Sequence, residues 1–266
     1  FNLPCLNLWE HYTLLDIALL RNRTFSATLG MIFFTTASMG GIILFVNQHL
    51  QLVKGLSPLN AGLWLLPPAV AVIIGTILAP ILSKRFGPGY IVSFGMAIAG
   101  IGLLMLALYN SSSSLYLVVA GYFFTCLGVG PVGALGTDIV VGSAPPEKAG
   151  SASAMSETCG ELGAALGVAV MGSIGTAIYR GQMDGSLPVV LSPEEAKTAG
   201  DTLVGAITVS QNLPDSIAFE LLDQARNAFI AGFNMVSAIS LIASILVAIL
   251  VFRMLHNLKP SKETRH

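Results

Sequence analysis

Two carboxylates placed four residues apart carry the most chemistry in this sequence. Glu157 and Glu161 lie in the middle of an apolar run, Gly150 to Tyr179, that is long enough to cross a membrane. Residues four apart share one face of a helix, and a carboxylate costs about 2.5–3.5 kcal/mol at the centre of a membrane helix. An apolar environment and a like-charged neighbour both favour the protonated form. The spacing therefore predicts a proton- and cation-binding site; the alternative is a buried pair satisfied by nearby hydroxyl or backbone groups.

The composition indicates a polytopic membrane protein. Of the 266 residues, 54% are hydrophobic and 10% are charged, whereas soluble domains carry about 25% charged residues. The net charge of -1 gives no electrostatic footprint for nucleic acid. The three cysteines (Cys5, Cys126 and Cys159) show neither a disulfide framework nor a metal spacing. We therefore expect no metal and no other cofactor.

Apolar runs of about 20 residues predict an all-α fold, a single bundle of membrane-spanning helices. There are six such runs, at 25–46, 59–82, 91–109, 115–141, 150–179 and 228–252, within a bundle that occupies residues 25–252. Residues 1–24 are expected to form a cytoplasmic segment with an amphipathic helix on the membrane surface. Residues 253–266 are expected to form a cytoplasmic tail, and the chain as a whole is interpreted as a piece of a longer protein.

The distribution of Lys and Arg predicts the orientation of the bundle. Nine of the 13 basic residues fall at one set of helix ends: Arg21, Arg23, Lys84, Arg85, Lys148, Arg253, Lys259, Lys262 and Arg265. Because positive charge marks the cytoplasmic side, both termini are predicted to be cytoplasmic and 180–227 to be an external hairpin loop. This loop is acidic, and it is either a solvated hairpin or a rim that attracts cations. Ser192-Pro193-Glu194-Glu195 predicts a helix start within it, and Pro214 predicts another helix that continues into the sixth span.

Small residues predict where helices approach each other. A second face of the glutamate helix carries Gly160, Gly163 and Gly167, which allow a neighbouring helix to pack closely. In the fourth span, Gly128, Gly130 and Pro131 predict a kink, because proline removes a helix hydrogen bond and glycine permits a bend.

Three further charged positions have more than one interpretation. Asp138 ends the fourth span, where it either pairs with Lys148 or caps local backbone, or adds a charge to the pathway of the two glutamates. Lys84 and Arg85, followed by Gly87, form a basic cytoplasmic turn that determines topology. The same turn is also suited to docking on neighbouring helix ends.

Several stretches together resemble one family of transporters. They are Leu20-Arg21-Asn22-Arg23-Thr24-Phe25, Lys54-Gly55-Leu56-Ser57-Pro58, Arg85-Phe86-Gly87-Pro88, Pro145-Pro146-Glu147-Lys148-Ala149-Gly150 and Glu161-Leu162-Gly163 with Leu166-Gly167-Val168. The chain resembles the C-terminal half of a fourteen-spanner drug:proton antiporter of the major facilitator superfamily. The nearest similarity is to QacA/SmvA-type exporters of quaternary ammonium compounds, and it covers nearly the whole chain.

The resemblance implies half of a proton-coupled multidrug efflux antiporter, with antimicrobial resistance as the expected phenotype. It implies lipophilic and quaternary ammonium cations and protons as ligands, the proton gradient as energy source, and a bacterial inner membrane as location. It also implies a missing N-terminal bundle as partner. Glu157 and Glu161 match the acidic positions of such exporters, whereas Asp138 falls where their pattern is apolar. The alternative is a truncated, non-transporting membrane module that pairs with another transporter or with an N-terminal half.

The sequence argues against an intramembrane enzyme or a water channel. No GxSG stands in a predicted span, and all four histidines (His11, His49, His256 and His266) lie outside the apolar cores. Paired Asn-Pro-Ala half-helices are also missing from the sequence. We therefore expect a transporter and not an enzyme.

Overall fold

The computed structural model describes residues 17–188 and 190–255, and it confirms the predicted fold class. In this part of the chain six helical segments are long and apolar enough to cross a membrane, and no strand occurs: Arg23–Val53, Pro58–Phe86, Pro88–Ala107, Leu115–Gly142, Pro146–Met183 and Asp215–Met254. Most of the predicted amphipathic segment and of the tail, with Cys5, His11, His256 and His266, lies outside the described residues.

The helices follow one another with short connections. They are α1 (Arg23–Gln48), α2 (Pro58–Trp64), α3 (Leu66–Phe86), α4 (Pro88–Ala107), α5 (Leu115–Gly142), α6 (Ala149–Met183), α7 (Pro193–Asp201), α8 (Leu203–Ser210) and α9 (Asp215–Leu255). A 3-10 helix at Ile17–Arg21 precedes α1, a π-helical turn at His49–Val53 extends it, and a 3-10 turn at Pro146–Lys148 leads into α6.

The second span is divided between α2 and α3. Ser57 caps α2, since its side chain accepts a hydrogen bond from the backbone N–H of Asn60. The division falls just before Pro67 and Pro68, which have no N–H to donate and disfavour helical backbone in the residue before them. Pro80, in contrast, lies inside α3, which continues past it to Phe86.

The helices differ strongly in how far they are buried. α5 packs against α3 and α4, and α1 packs against α6, α9 and α5. In the most apolar 18-residue window of each span, 56% of the residues of α5 are buried, but only 22% in the α2–α3 span and 22% in the α6 span. α1 and α5 therefore form the centre of the bundle, while α3 and α6 keep one open face each.

Glycines set the spacing around α5. A Cβ atom on Gly128 would overlap the backbone of Gly95 and Ala99 in α4, and one on Gly130 would overlap the backbone of Gly75 in α3. Pro131 is buried beside them and lies within the unbroken helix α5. These residues bring α5 into backbone contact with two neighbours at once, which longer side chains would prevent.

The segment 180–227 is more helical than the sequence predicted. Ser192 and Glu195 form a capping box at the start of α7, with hydrogen bonds in both directions. α9 begins at Asp215, as the helix start predicted near Pro214 requires, and it continues through the sixth span predicted at 228–252. The apolar run marked only the part of α9 that suits a membrane, whereas the helix itself continues into polar sequence. The non-helical parts of the loop are correspondingly shorter than expected.

Candidate proton and cation site

α6 presents both predicted carboxylates on its open face. The helix begins at Ala149 after the 3-10 turn and continues unbroken to Met183. Glu157 and Glu161 are both exposed in the bundle. Neither side chain makes a hydrogen bond or an ion pair with any described residue. Both carboxylates are thus accessible from the same side of the helix in this bundle.

Within this bundle, neighbouring hydroxyl groups do not satisfy the two carboxylates. The hydroxyl groups nearest in sequence bond elsewhere: Thr158 donates to the backbone oxygen of Ala154 at 2.8 Å. Ser156 is buried, and its oxygen lies 3.3 Å from the hydroxyl of Thr137 in α5. The bundle therefore leaves the charge of Glu157 and Glu161 without compensation from its own hydroxyl groups.

The glycine face of α6 packs against α1. A Cβ atom on Gly163 would lie 2.6 Å from the backbone oxygen of Phe33, and one on Gly167 would overlap the backbone of Ala37. Gly160 has more room, since its Cβ would lie 3.6 Å from the nearest atom of Ile32. The contact fixes α6 against the centre of the bundle while its acidic face stays open.

Asp138 is also exposed, at the level of the acidic face. Its neighbour in sequence, Thr137, contacts Ser156, which directly precedes Glu157. Adjacent residues of a helix differ by about 1.5 Å along its axis. Asp138 and Glu157 therefore lie at a similar depth in the bundle. No hydrogen bond or ion pair of Asp138 is seen with the residues that the structure describes.

The basic turn joins α3 to α4. Lys84 and Arg85 occupy the last turn of α3, where positive charge complements the helix dipole. Gly87 has a φ of 87°, a backbone conformation that favours glycine, and its N–H donates to the backbone oxygen of Ser83. The guanidinium of Arg85 lies 5.4 Å from the centre of the Phe86 ring. The turn is at the opposite end of α3 from α2.

The sequence interpretation of His49 was wrong. His49 is fully buried in the π-helical turn that extends the first span, where its ring contacts Tyr109 and stacks on Phe233. Neither of its ring nitrogens has a hydrogen-bond partner among the described residues. Asn234, which donates to the backbone oxygen of Tyr109 at 2.8 Å, has an unpartnered side-chain oxygen in the same region.

A helical pattern in the sequence contained the signal for His49. Ile42, Phe45, Val46, His49 and Leu50 follow the spacing of one buried helix face, and all five are buried. The prediction ended the first span at Val46 because Asn47, Gln48 and His49 are polar. Only Asn47 and Gln48 of these three remain partly accessible.

Comparison with known proteins identifies the family of this bundle. The sequence profile of the Major Facilitator Superfamily matches residues 10–168. The chain belongs to this superfamily. It is a superfamily of transporters, in agreement with the six helices of the described part that are long and apolar enough to cross a membrane.

Proteins similar to this chain include efflux and resistance proteins. The chain is 38% identical to the multidrug efflux pump LfrA of Mycolicibacterium smegmatis, over 88% of this chain and 45% of the pump. It is 31% identical to a tetracenomycin C resistance and export protein of Streptomyces glaucescens, over 87% of this chain and 45% of that protein. It is 30% identical to the methyl viologen resistance protein SmvA of Salmonella typhimurium, over 82% of this chain and 43% of SmvA. The chain thus spans less than half the length of these relatives.

Proposed function

We propose that this chain is one six-helix half of a proton-coupled multidrug efflux antiporter that exports lipophilic and quaternary ammonium cations. The observation that carries the proposal is the open acidic face of α6. A carboxylate at membrane depth is costly in contact with lipid, so Glu157 and Glu161 require water, a cationic ligand or another protein surface. Relatives named for multidrug efflux and for methyl viologen resistance support a cation as the exported ligand.

The proposed exchange uses one face for two competing ligands. An external proton neutralises a carboxyl of Glu157 or Glu161, and the cation loses its counter-charge and leaves outward. Loss of the proton to the cytoplasm restores the charge and with it the affinity for a cation.

Alternating access requires a second bundle that faces α6. We propose an N-terminal bundle of the same transporter as that partner, with both termini of this chain in the cytoplasm. Superfamily transporters move largely by rocking one bundle against the other around a central site. The glycine contact between α6 and α1 lets the acidic face move with its bundle as one body.

Asp138 is proposed as a charge in the cytoplasmic part of the same pathway. Its exposure, and the contact of its neighbour Thr137 with Ser156, support this assignment. The change Asp138→Asn is expected to slow proton movement while leaving cation binding unchanged. Unchanged proton movement in this variant would remove Asp138 from the pathway.

The test of the proposed function is drug-induced proton movement in vesicles that contain an upstream-extended version of the chain. The double change Glu157→Gln and Glu161→Gln is expected to abolish it, because amides neither titrate nor neutralise a cation. Glu147→Gln is the matched control, since Glu147 is also exposed but lies in the turn before α6. A folded double variant that still couples ethidium efflux to proton uptake would overturn the proposal.

A further inference from the structure

A cavity lies at the other end of α6 from the start of the acidic face. It is a partly open cleft with a volume of about 320 Å³, and it is lined by α1, α6, α9 and the junction of α7 with α8. We call it the α7–α8 pocket. Thr176, which lines it, follows Glu161 by 15 residues, so the pocket lies about 22 Å along the helix from that carboxylate. The α7–α8 pocket is therefore distinct from the candidate proton and cation site.

The pocket has the size and the wall of a small-molecule site. Its volume lies in the range of ligand pockets, which are mostly apolar with a few polar groups that orient the ligand. The rings of Phe45 and Phe229 form the apolar wall, with their centres 5.5 Å apart. Tyr179 completes it and is held in place by its hydroxyl, which donates to the backbone oxygen of Ala199 at 2.8 Å.

Three polar side chains of the pocket are available to a ligand, either unbonded or held only by an exposed ion pair. The side chains of Gln48 and Thr176 line the pocket and make no hydrogen bond with any described residue. Asp201 contributes a carboxylate whose ion-pair partner is Arg180, at 3.2 Å between Oδ1 and Nε. Both side chains of this pair are partly exposed, 44% for Asp201 and 58% for Arg180. An exposed pair of this kind is weak, so an incoming cation can compete with the guanidinium.

The charge around the pocket favours cations. From Arg180 to Asn227 the chain has seven acidic residues and three basic ones. Such an imbalance raises the local concentration of cations at the surface. An open groove on α6, lined by residues that include Val168, Ser173 and Arg180, shares Gly172 and Thr176 with the pocket. The groove runs along α6 from the side of Glu161 toward the pocket.

We infer that the α7–α8 pocket is a second binding site for aromatic organic cations, with Asp201 as counter-ion and Arg180 as the internal competitor. The aromatic part of the ligand lies against Phe45 and Phe229, and its charge replaces the guanidinium beside Asp201. The inference rests on the proposed function in taking an organic cation as the ligand. In an exporter such a site holds the cation after it has left the glutamates.

The test exploits the opposite roles of the two ion-pair partners. Ethidium binding to the 266-residue chain in lipid nanodiscs is measured by fluorescence anisotropy. Asp201→Asn is expected to weaken binding about threefold to fivefold, because the counter-ion is lost, and Arg180→Gln to strengthen it by a similar factor, because the competitor is lost. A purely structural ion pair would give the same direction for both changes, and that result overturns the inference.

Two controls distinguish the contribution of the Asp201 charge to ethidium binding from the contribution of the cavity itself. Val204→Trp fills the pocket from its exposed rim and is expected to remove the ethidium binding that does not depend on Glu157 and Glu161. Thr208→Trp, one turn further along α8 and also exposed, is expected to leave that binding unchanged. Nile red, an uncharged aromatic dye, is expected to bind equally to the wild type and to the two ion-pair variants. Equal ethidium binding by both tryptophan variants would exclude the pocket as the site.

The double change Glu157→Gln and Glu161→Gln distinguishes this inference from the proposed function. Ethidium binding in the pocket is expected to persist in that variant even though proton coupling is lost. If the double variant loses all ethidium binding, the inference fails and the proposed function stands. If proton coupling survives the double change while the opposite effects at Asp201 and Arg180 remain, the proposed function fails and the inference stands.

Discussion

The spans formed by α2–α3 and by α6 are buried to the same small extent, yet their open faces have opposite chemistry. Only 22% of the most apolar window is buried in each. The open face of α3 is aliphatic, with Val70, Ile73, Ile77 and Ile81 each at least half exposed. The open face of α6 carries Glu157 and Glu161 among small residues. Low burial alone therefore does not identify a functional face in a membrane bundle.

The difference indicates what each face must meet. An aliphatic face is stable against lipid or against another apolar helix. A face with two carboxylates is not, because desolvation of the charges is unfavourable. α6 also carries the glycines that contact α1. It therefore has three faces: one packs against α1, one is apolar, and one carries the two carboxylates. The exposed face of α3 is therefore predicted to contact lipid or another apolar helix. The exposed acidic face of α6 is predicted to contact water or another protein surface.

The largest expected effect comes from placing a carboxylate on the aliphatic face. Ile77 is 60% exposed on α3, and Ile77→Glu is expected to cost about 2.5–3.5 kcal/mol of membrane insertion if this face meets an apolar environment. The measurement is the yield of folded, membrane-inserted chain, with Ile77→Leu as the matched control. Glu161→Leu on α6 is expected to leave this yield unchanged. An Ile77→Glu chain that inserts as well as the control would show that the face of α3 meets water or polar groups.

A smaller effect is expected from widening the contact between α6 and α1. A methyl group at Gly167 would overlap the backbone of Ala37, so Gly167→Ala is expected to cost about 1–3 kcal/mol through overpacking. Gly160→Ala is the matched control, because its methyl group would lie 3.6 Å from Ile32 in ordinary contact. Thermal unfolding of the two variants in detergent gives the comparison. Equal midpoints for both would contradict the close approach at Gly167.

The smallest effect is expected at the capping box of α7, which is tied to α6 but not to α3. Ser192→Ala is expected to cost about 1 kcal/mol of local helix stability. Hydrogen exchange should become faster in α7, and in the last turns of α6 through the bond of Tyr179 to Ala199, while α3 stays unchanged. Faster exchange in α3 as well would mean that the change destabilises the whole bundle.

The same capping box has a defined pH dependence. Hydrogen bonds from the hydroxyl and the backbone N–H of Ser192 hold the pKa of Glu195 below its ordinary value of 4.5. The stabilisation is therefore complete above pH 4.5 and is lost as the pH falls through the lower pKa of the folded form. Protection of α7 should fall on acidification through this range and should lose its pH dependence in Glu195→Gln. A pH profile that the Gln variant leaves unchanged would assign the effect to another group.

Particular residues mark the limit of what the sequence predicts here. The helix starts at Ser192 and near Pro214 follow from local chemistry, and the structure confirms both. The burial of His49 was missed because a polar side chain at the end of an apolar run usually marks the interface. Its position depends on Tyr109 and Phe233, which come from distant parts of the chain. The α7–α8 pocket was missed for the same reason, since its walls come from four separate segments.

The sequence by itself determined the all-α class, the six spans and the pair of carboxylates one turn apart, because hydropathy and helical periodicity are local properties of the chain. Only the tertiary structure decided which face of each helix stays open. Burial depends on the neighbours that glycines such as Gly128 and Gly167 admit to close contact. The open acidic face of α6, the enclosed His49 and the pocket beside Asp201 are all products of that packing.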